Sequence, residues 1–112
     1  MHKRTKALAI SPKIKAAVWA RDGGKCILCG SHNAEPNAHY IARSHSGLGV
    51  EQNIVTLCAG CHYAYDNTHA RPVLREEIKA YLMNHYDGWN EADLIFKKWP
   101  LASGNIDIEC DE

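Results

Sequence analysis

Residues 26–67 have the sequence CILCGSHNAEPNAHYIARSHSGLGVEQNIVTLCAGCHYAYDN, which begins with one Cys-x-x-Cys pair and contains a second. The pairs are Cys26 with Cys29 and Cys58 with Cys61. Each pair can present two thiolates at the angle that tetrahedral zinc requires, so together they predict a closed, structural zinc site. The 28 residues between the pairs, positions 30–57, exceed the spacing of a simple zinc ribbon. A β-hairpin is therefore predicted between them.

Two other uses of paired cysteines are open from the residues alone, disulfide bonds and a redox Cys-x-x-Cys. A redox motif occurs singly and beside a βαβ pattern, and neither condition holds here. The basic N-terminus, MHKRTK, is not followed by a hydrophobic segment with a cleavage site. We therefore expect a cytoplasmic protein whose thiols stay reduced, which favours zinc and leaves Cys110 as a free surface thiol.

Size and charge indicate one small domain with unlike ends. The chain has 112 residues, a formal net charge of zero and one phenylalanine, so its modest core needs a metal or disulfides to stabilise it. Residues 1–25 hold seven Lys or Arg against one acid, whereas residues 91–112 hold six acids against two lysines. We predict a flexible basic arm over 1–10, a single domain over 11–100 and an acidic tail over 101–112. No apolar run approaches the ~20 residues needed to cross a bilayer, so no membrane partner is expected.

Hydrophobic periodicity and turn residues predict an α+β fold. Ser11 and Pro12 indicate a helix N-terminus, and Gly23-Gly24 indicates its end. Residues 53–57 are rich in β-branched side chains, as strands are. The elements predicted from such signals are, in chain order, a helix from Ser11 to Gly23, strands around 37–42 and 53–57, and helices over 61–67, 74–85 and 90–99.

The order of residues between and after the cysteine pairs resembles the HNH nuclease family. His39 opens the first predicted strand, Asn53 opens the second, and His62 begins the helix after the last cysteine. The frame Cys-x-x-Cys … His … Arg-Ser … Gly … Asn-Ile-Val-Thr-Leu-Cys-x-x-Cys-His is similar to the zinc-containing branch that is common in phages and prophages. The resemblance covers residues 12–67. It implies a small ββα-metal (HNH, treble-clef-like) core stapled by a four-cysteine zinc site, with flanking N-terminal and C-terminal helices.

Carried over by position, the resemblance implies a role for each motif residue. His39 matches the general base that takes a proton from the attacking water, and imidazole suits this task because its unperturbed pKa is about 6.5. Asn53 matches the middle residue, which fixes the loop and the base. His62 matches a metal ligand, and Asp66, four residues later on the same helical face, matches a second one. Arg43 is expected to neutralise a neighbouring phosphate.

Position 38 departs from the family pattern. The family usually carries Asp, Glu or His immediately before the base as a metal ligand, whereas Ala38 cannot coordinate through its side chain. A register shifted by one would make His39 the ligand and Tyr40 the base, but it would lose the match at positions 41–44. We keep the first register. It implies either that His62, Asp66 and waters hold the ion or that activity is lost.

The resemblance implies a metal-dependent endonuclease that hydrolyses DNA phosphodiester bonds, nicks one strand and has low sequence specificity. Its cofactors would be structural Zn²⁺ and a catalytic Mg²⁺, Mn²⁺ or Ni²⁺ ion. The alternative is a non-catalytic four-cysteine zinc module that binds DNA or a protein partner, which Ala38 and the zero net charge favour. A third possibility is an accessory subunit of a phage packaging or recombination assembly. We expect a monomer or weak dimer in the cytoplasm of a bacterial or phage-infected cell.

Overall fold

A two-stranded sheet and four helices make up the fold in the computed structural model, which describes residues 3–97. The helices and strands are, in chain order, α1 (Lys3–Leu8), α2 (Pro12–Arg21), β1 (Ala34–His39), β2 (Ile54–Cys58), α3 (Ala59–Asn67) and α4 (Arg71–His85). Short 3-10 turns lie at Arg43–His45, Glu51–Asn53 and Glu91–Leu94. This arrangement confirms a small α+β domain. Over residues 3–97, every helix is too short or too polar to cross a bilayer.

The two strands form the antiparallel hairpin that was predicted between the cysteine pairs. Ala34 pairs with Cys58 at the open end, and His39 pairs with Ile54 near the loop. The register shifts by one residue between Glu35 and Ala38, so β1 carries a bulge there. The strand also starts earlier than predicted and ends at His39, because the chain turns away from the ladder at Tyr40.

Helix boundaries follow the predicted caps in most places. The Ser11 side chain accepts a hydrogen bond from the Ile14 amide, and Gly23 ends α2 with a positive φ of 71° that favours glycine. Helix α3 begins two residues earlier than predicted, because Cys58 itself is the N-cap and its Sγ accepts from the Cys61 amide at 3.4 Å. The second Cys-x-x-Cys is therefore the first turn of a helix.

The C-terminal part of the prediction is only partly covered by the structure. The Asn90 side chain caps a 3-10 turn at Glu91–Leu94 instead of the predicted longer helix. The end of that helix at Pro100, the acidic tail over 101–112 and Cys110 lie outside the described residues.

The N-terminal residues differ from the flexible arm predicted over 1–10. Residues 3–8 form α1, and Leu8 is 2% exposed. The Gly49 amide donates to the Ala7 carbonyl, and a Cβ at Gly49 would lie 2.0 Å from the Ala9 carbonyl oxygen. One buried leucine and a glycine contact hold this helix against the loop before β2, and Arg4 donates to the Arg43 carbonyl in the loop after β1. The domain boundary after residue 10 stays a prediction.

A buried ion pair connects α2, β2 and α4. Asp22 accepts two hydrogen bonds from Arg21, a third from the Thr56 amide at 2.9 Å and a fourth from the Tyr81 hydroxyl. The Arg21 guanidinium also donates to the Ile54 carbonyl at 2.7 Å. Both charges are nearly removed from solvent, with side-chain exposures of 10% and 0%. The pair therefore fixes β2, which leads into the cysteines and α3.

The substitution Asp22→Ala is expected to lower the free energy of unfolding by about 3–5 kcal/mol, because it leaves the Arg21 charge and two buried donors without their acceptor. Urea unfolding followed by circular dichroism measures this loss. Asp87→Ala, at an exposed aspartate, is the matched control and should change the value little. Equal effects of the two substitutions would contradict a structural role for the pair.

Candidate metal and catalytic site

The four predicted cysteines lie together at the base of the hairpin. One ligand atom from each of Cys26, Cys29, Cys58 and Cys61 lies within 4.8 Å of all the others. The Sγ atoms of Cys29 and Cys58 are 3.6 Å apart, far longer than the ~2.05 Å of a disulfide, and all four thiols are free. Tetrahedral Zn–S bonds of about 2.3 Å would separate the sulfurs by about 3.8 Å. The cluster could therefore hold a structural metal ion such as zinc.

Backbone amides point at the first thiol of each pair. The Cys29 amide donates to Cys26 Sγ at 3.5 Å, as the Cys61 amide does to Cys58. Burial raises the pKa of Cys26, but the amide hydrogen bonds from Cys29, Cys58 and Leu28 outweigh it and lower the pKa to about 7. Burial and hydrogen bonds from the neighbouring thiols raise the pKa of Cys61, so Cys26 is the thiol that ionises more readily and supplies the thiolate that a metal binds.

A cleft of about 560 Å³ lies beside the hairpin, between the end of β1, the loop that follows it and α3. The predicted residues His39, Arg43, His62 and Asp66 all line this cleft. The remaining side chains of its wall come from the same elements and from the start of α4: Asn37, Ala42, Ser44, His45 and Arg71. The candidate base and the candidate ligands thus face one space, although 23 positions separate His39 from His62.

His39 is oriented by the N-terminal helix. Its Nε2 atom lies 2.9 Å from the Leu8 carbonyl oxygen. A carbonyl only accepts hydrogen bonds, so Nε2 carries the proton and Nδ1 is left as the acceptor of the neutral ring. Burial lowers the pKa of His39, and the nearby Arg43 charge lowers it further against the opposing Leu8 hydrogen bond. The ring is therefore neutral at pH 7 and able to accept a proton.

His62 and Asp66 form an i,i+4 pair on α3. His62 Nε2 lies 3.1 Å from Asp66 Oδ2, and both side chains are partly exposed. Arg71 approaches the other carboxylate oxygen at 3.6 Å and donates to the Tyr65 carbonyl. Octahedral ligands at about 2.1 Å from a divalent ion lie about 3 Å apart when adjacent, so the spacing of this nitrogen and oxygen fits two such ligands. A neutral imidazole with a carboxylate is also a suitable donor set for Mg²⁺, Mn²⁺ or Ni²⁺.

Asn53 lies beneath the loop that forms one wall of the cleft. It is fully buried, and its side chain makes three hydrogen bonds to the backbone. Oδ1 accepts from the Ile41 amide at 2.8 Å, while Nδ2 donates to the Ile41 and Leu48 carbonyls. All three hydrogen bonds join the side-chain amide of Asn53 to the backbone of the loop that carries Arg43, so Asn53 orders this loop.

The register shifted by one residue would make Tyr40 the base, but Tyr40 does not line the cleft. This side chain is fully buried, and its hydroxyl donates to Glu91 at 2.6 Å on the far side of the sheet from the cleft residue His39. Burial and the Glu91 hydrogen bond raise its pKa, so the phenol keeps its proton at neutral pH and cannot accept one from water. Ala38 is 1% exposed and belongs to the hydrophobic core. Neither residue 38 nor residue 40 lines the cleft.

Three groups at the cleft were not predicted from the sequence. Asn37 stands two positions before His39, and the two-residue period of a strand could have placed both on one face. Arg71 follows the end of α3, where no motif marks it. The Leu8 carbonyl is a backbone atom, so no residue type could have indicated it.

Comparison with known proteins gives no independent assignment: no protein-family model matches the chain, and no curated protein resembles it in sequence.

The His39 ring is expected to titrate with a midpoint below 6.5 in the folded chain, because burial disfavours its charged form. Since the unfolded chain then binds the proton more readily, stability that is present above pH 6.5 should fall as the pH drops toward the folded-state midpoint. NMR of the histidine ring protons, without added divalent ions, measures the midpoint, and the urea-unfolded chain is the reference. A midpoint at or above the unfolded value would contradict the dominance of burial over the Leu8 hydrogen bond at His39.

Proposed function

We propose that the chain is a metal-dependent endonuclease of the HNH type that hydrolyses DNA phosphodiester bonds. One observation carries the proposal: an imidazole on β1, neutral at pH 7, shares a cleft with a histidine–aspartate pair on α3. The order of the three side chains along the chain is also that of the family motif. A zinc module that only binds a partner has no use for a half-buried, oriented imidazole in the same cleft as a ligand pair.

In this proposal the four-cysteine cluster holds structural Zn²⁺. The cluster uses two free Cys-x-x-Cys pairs with amide hydrogen bonds to sulfur, a donor set that suits zinc. Four protein ligands leave no open position, so the ion stabilises the fold and takes no part in hydrolysis. The cytoplasm, with its reduced thiols, is the compartment that the site suits.

His39 is the general base. With its Nε2 proton donated to the Leu8 carbonyl, the ring presents Nδ1 as the atom that takes the proton from the attacking water. The lowered pKa keeps this nitrogen unprotonated at neutral pH. Asn53 acts as a positioning residue, because its three hydrogen bonds fix the loop that begins directly after the base.

His62 and Asp66 would hold the catalytic divalent ion, for which Mg²⁺, Mn²⁺ and Ni²⁺ are the candidates. Such an ion would supply polarisation of the scissile phosphate and stabilisation of negative charge on the leaving 3′ oxygen. Arg71 keeps the Asp66 carboxylate beside His62 through its contact at 3.6 Å. Hydrolysis by this route leaves 5′-phosphate and 3′-hydroxyl ends.

Two arginines, Arg43 and Arg71, line the cleft, and such groups suit a phosphate backbone. Arg43 is exposed at the rim, where its guanidinium can bind a phosphate in a fork. The Arg4 side chain donates to the Arg43 carbonyl, so the basic helix α1 lies against the same loop, with Lys6 exposed on it. Because phosphate contacts carry no sequence information, we infer low sequence specificity and nicking by one site per chain.

The second candidate is a non-catalytic zinc module that binds DNA or a protein partner. It is favoured by Ala38, whose burial in the core leaves no ligand at the position where the family carries one. On this hypothesis the cleft binds phosphate or a partner side chain without hydrolysis. Participation in a phage packaging or recombination assembly fits either candidate.

Supercoiled plasmid incubated with the zinc-loaded chain should be nicked when Mg²⁺, Mn²⁺ or Ni²⁺ is added, and the reaction should stop with a chelator. His39→Ala is expected to lower the nicking rate by about 10²–10⁴-fold, the usual contribution of a general base. His85→Ala is the matched control, since His85 is an exposed histidine at the end of α4. Agarose gels measure the rates, and circular dichroism with zinc analysis verifies that each variant is folded.

Two results would contradict the proposal. Plasmid binding without cleavage under every ion would favour the non-catalytic module. Equal nicking by His39→Ala and the unsubstituted chain would remove His39 from the role of base.

A further inference from the structure

Asn37 has a buried oxygen that the fold leaves without a partner. Its Nδ2 donates to Glu35 Oε1 at 3.0 Å, and because a carboxylate only accepts, this contact determines which end of the amide is nitrogen. The other end, Oδ1, is buried and has no hydrogen-bond partner among residues 3–97. Buried polar atoms are nearly always paired, so this oxygen on a cleft side chain is available to accept a hydrogen bond or to bind a cation.

Asn37 lines the same cleft as the candidate ion ligands. Asn37 and His39 both line the cleft, and so do His62 and Asp66 from α3. Ala38, between the two strand residues, is buried in the core on the opposite face. Asn37 lies within the register shift between Glu35 and Ala38, and such bulges re-aim side chains beside functional sites.

We propose that Asn37 Oδ1 is the third protein ligand of the divalent ion, together with His62 and Asp66, in place of the ligand that Ala38 cannot supply. The inference rests on the proposed nuclease function, since it concerns the same ion. Among residues 3–97, the four cysteines are the one group of three or more His, Cys, Asp or Glu with converging ligand atoms. The third ligand therefore comes from another residue type, and an amide oxygen is one that hard divalent cations accept.

A neutral amide ligand makes a specific prediction about charge. The donor set of imidazole, carboxylate and amide carries one negative charge, one fewer than a set with a second carboxylate. Replacing the amide by a carboxylate of the same shape should therefore strengthen binding of the ion, whereas removing the amide should weaken its binding.

Titration calorimetry of the zinc-loaded full chain with Mn²⁺ tests this prediction. We expect one Mn²⁺ per chain, at least tenfold weaker binding in Asn37→Ala and tighter binding in Asn37→Asp. Asn84→Ala, at an exposed asparagine on α4, is the matched control and should bind as the unsubstituted chain does. Thermal unfolding verifies that each variant is folded. If Asn37→Ala does not fold, the Mn²⁺ affinity of the isosteric Asn37→Asp alone tests the ligand assignment.

The outcomes separate this inference from the function on which it rests. One outcome is that the unsubstituted chain binds Mn²⁺, that His62→Ala abolishes this binding, and that neither Asn37 variant changes its affinity. In that case Asn37 is not the third ligand, and the nuclease proposal stands. If Asn37→Asp weakens binding, the ligand assignment is likewise overturned. If the unsubstituted chain binds no Mn²⁺ beyond its zinc, the divalent site itself fails, and both proposals fail with it.

Discussion

Convergence of four thiols within 4.8 Å of one another is the constraint on which the rest of the structure depends. One pair stands before the hairpin, and the other joins β2 to α3, where Cys58 is both the last strand residue and the helix N-cap. The first pair is also held to β2, since the Ile27 amide donates to the Thr56 carbonyl. An ion bound by both pairs would therefore set the direction in which α3 leaves the sheet, and with it the position of His62 opposite His39.

Local signals predicted those elements that short-range interactions specify. The Ser11 cap, the glycines after α2 and the β-branched run of β2 each act through neighbours in the chain, and each was located correctly. The limits of β1 were missed, because the strand begins in a polar segment and forms only by pairing with β2. The helix at Lys3–Leu8 was missed for a similar reason, since the burial of Leu8 against distant residues holds it in place.

The candidate site was predictable where its chemistry depends on residue type in a fixed order. The motif order named His39, His62, Asp66 and Arg43, and all four line one cleft, while their roles stay predictions. The neighbouring groups that orient these side chains were not predictable from the sequence. The acceptor that orients the imidazole is a backbone carbonyl, and the oxygen of Asn37 matters only because the bulge and the Glu35 contact leave it unpaired. The Arg21–Asp22 pair, which fixes β2, likewise has no motif of its own.

The central claim is that metal binding by the four cysteines holds the hairpin and α3 in place. Thermal unfolding of the full chain, recorded together with its metal content while a strong chelator is titrated in, tests this claim most directly. The account predicts one zinc ion per chain and loss of the cooperative transition in proportion to the zinc removed, because metal binding is folding free energy in a domain this small. A metal-free chain with an unchanged melting temperature would contradict it.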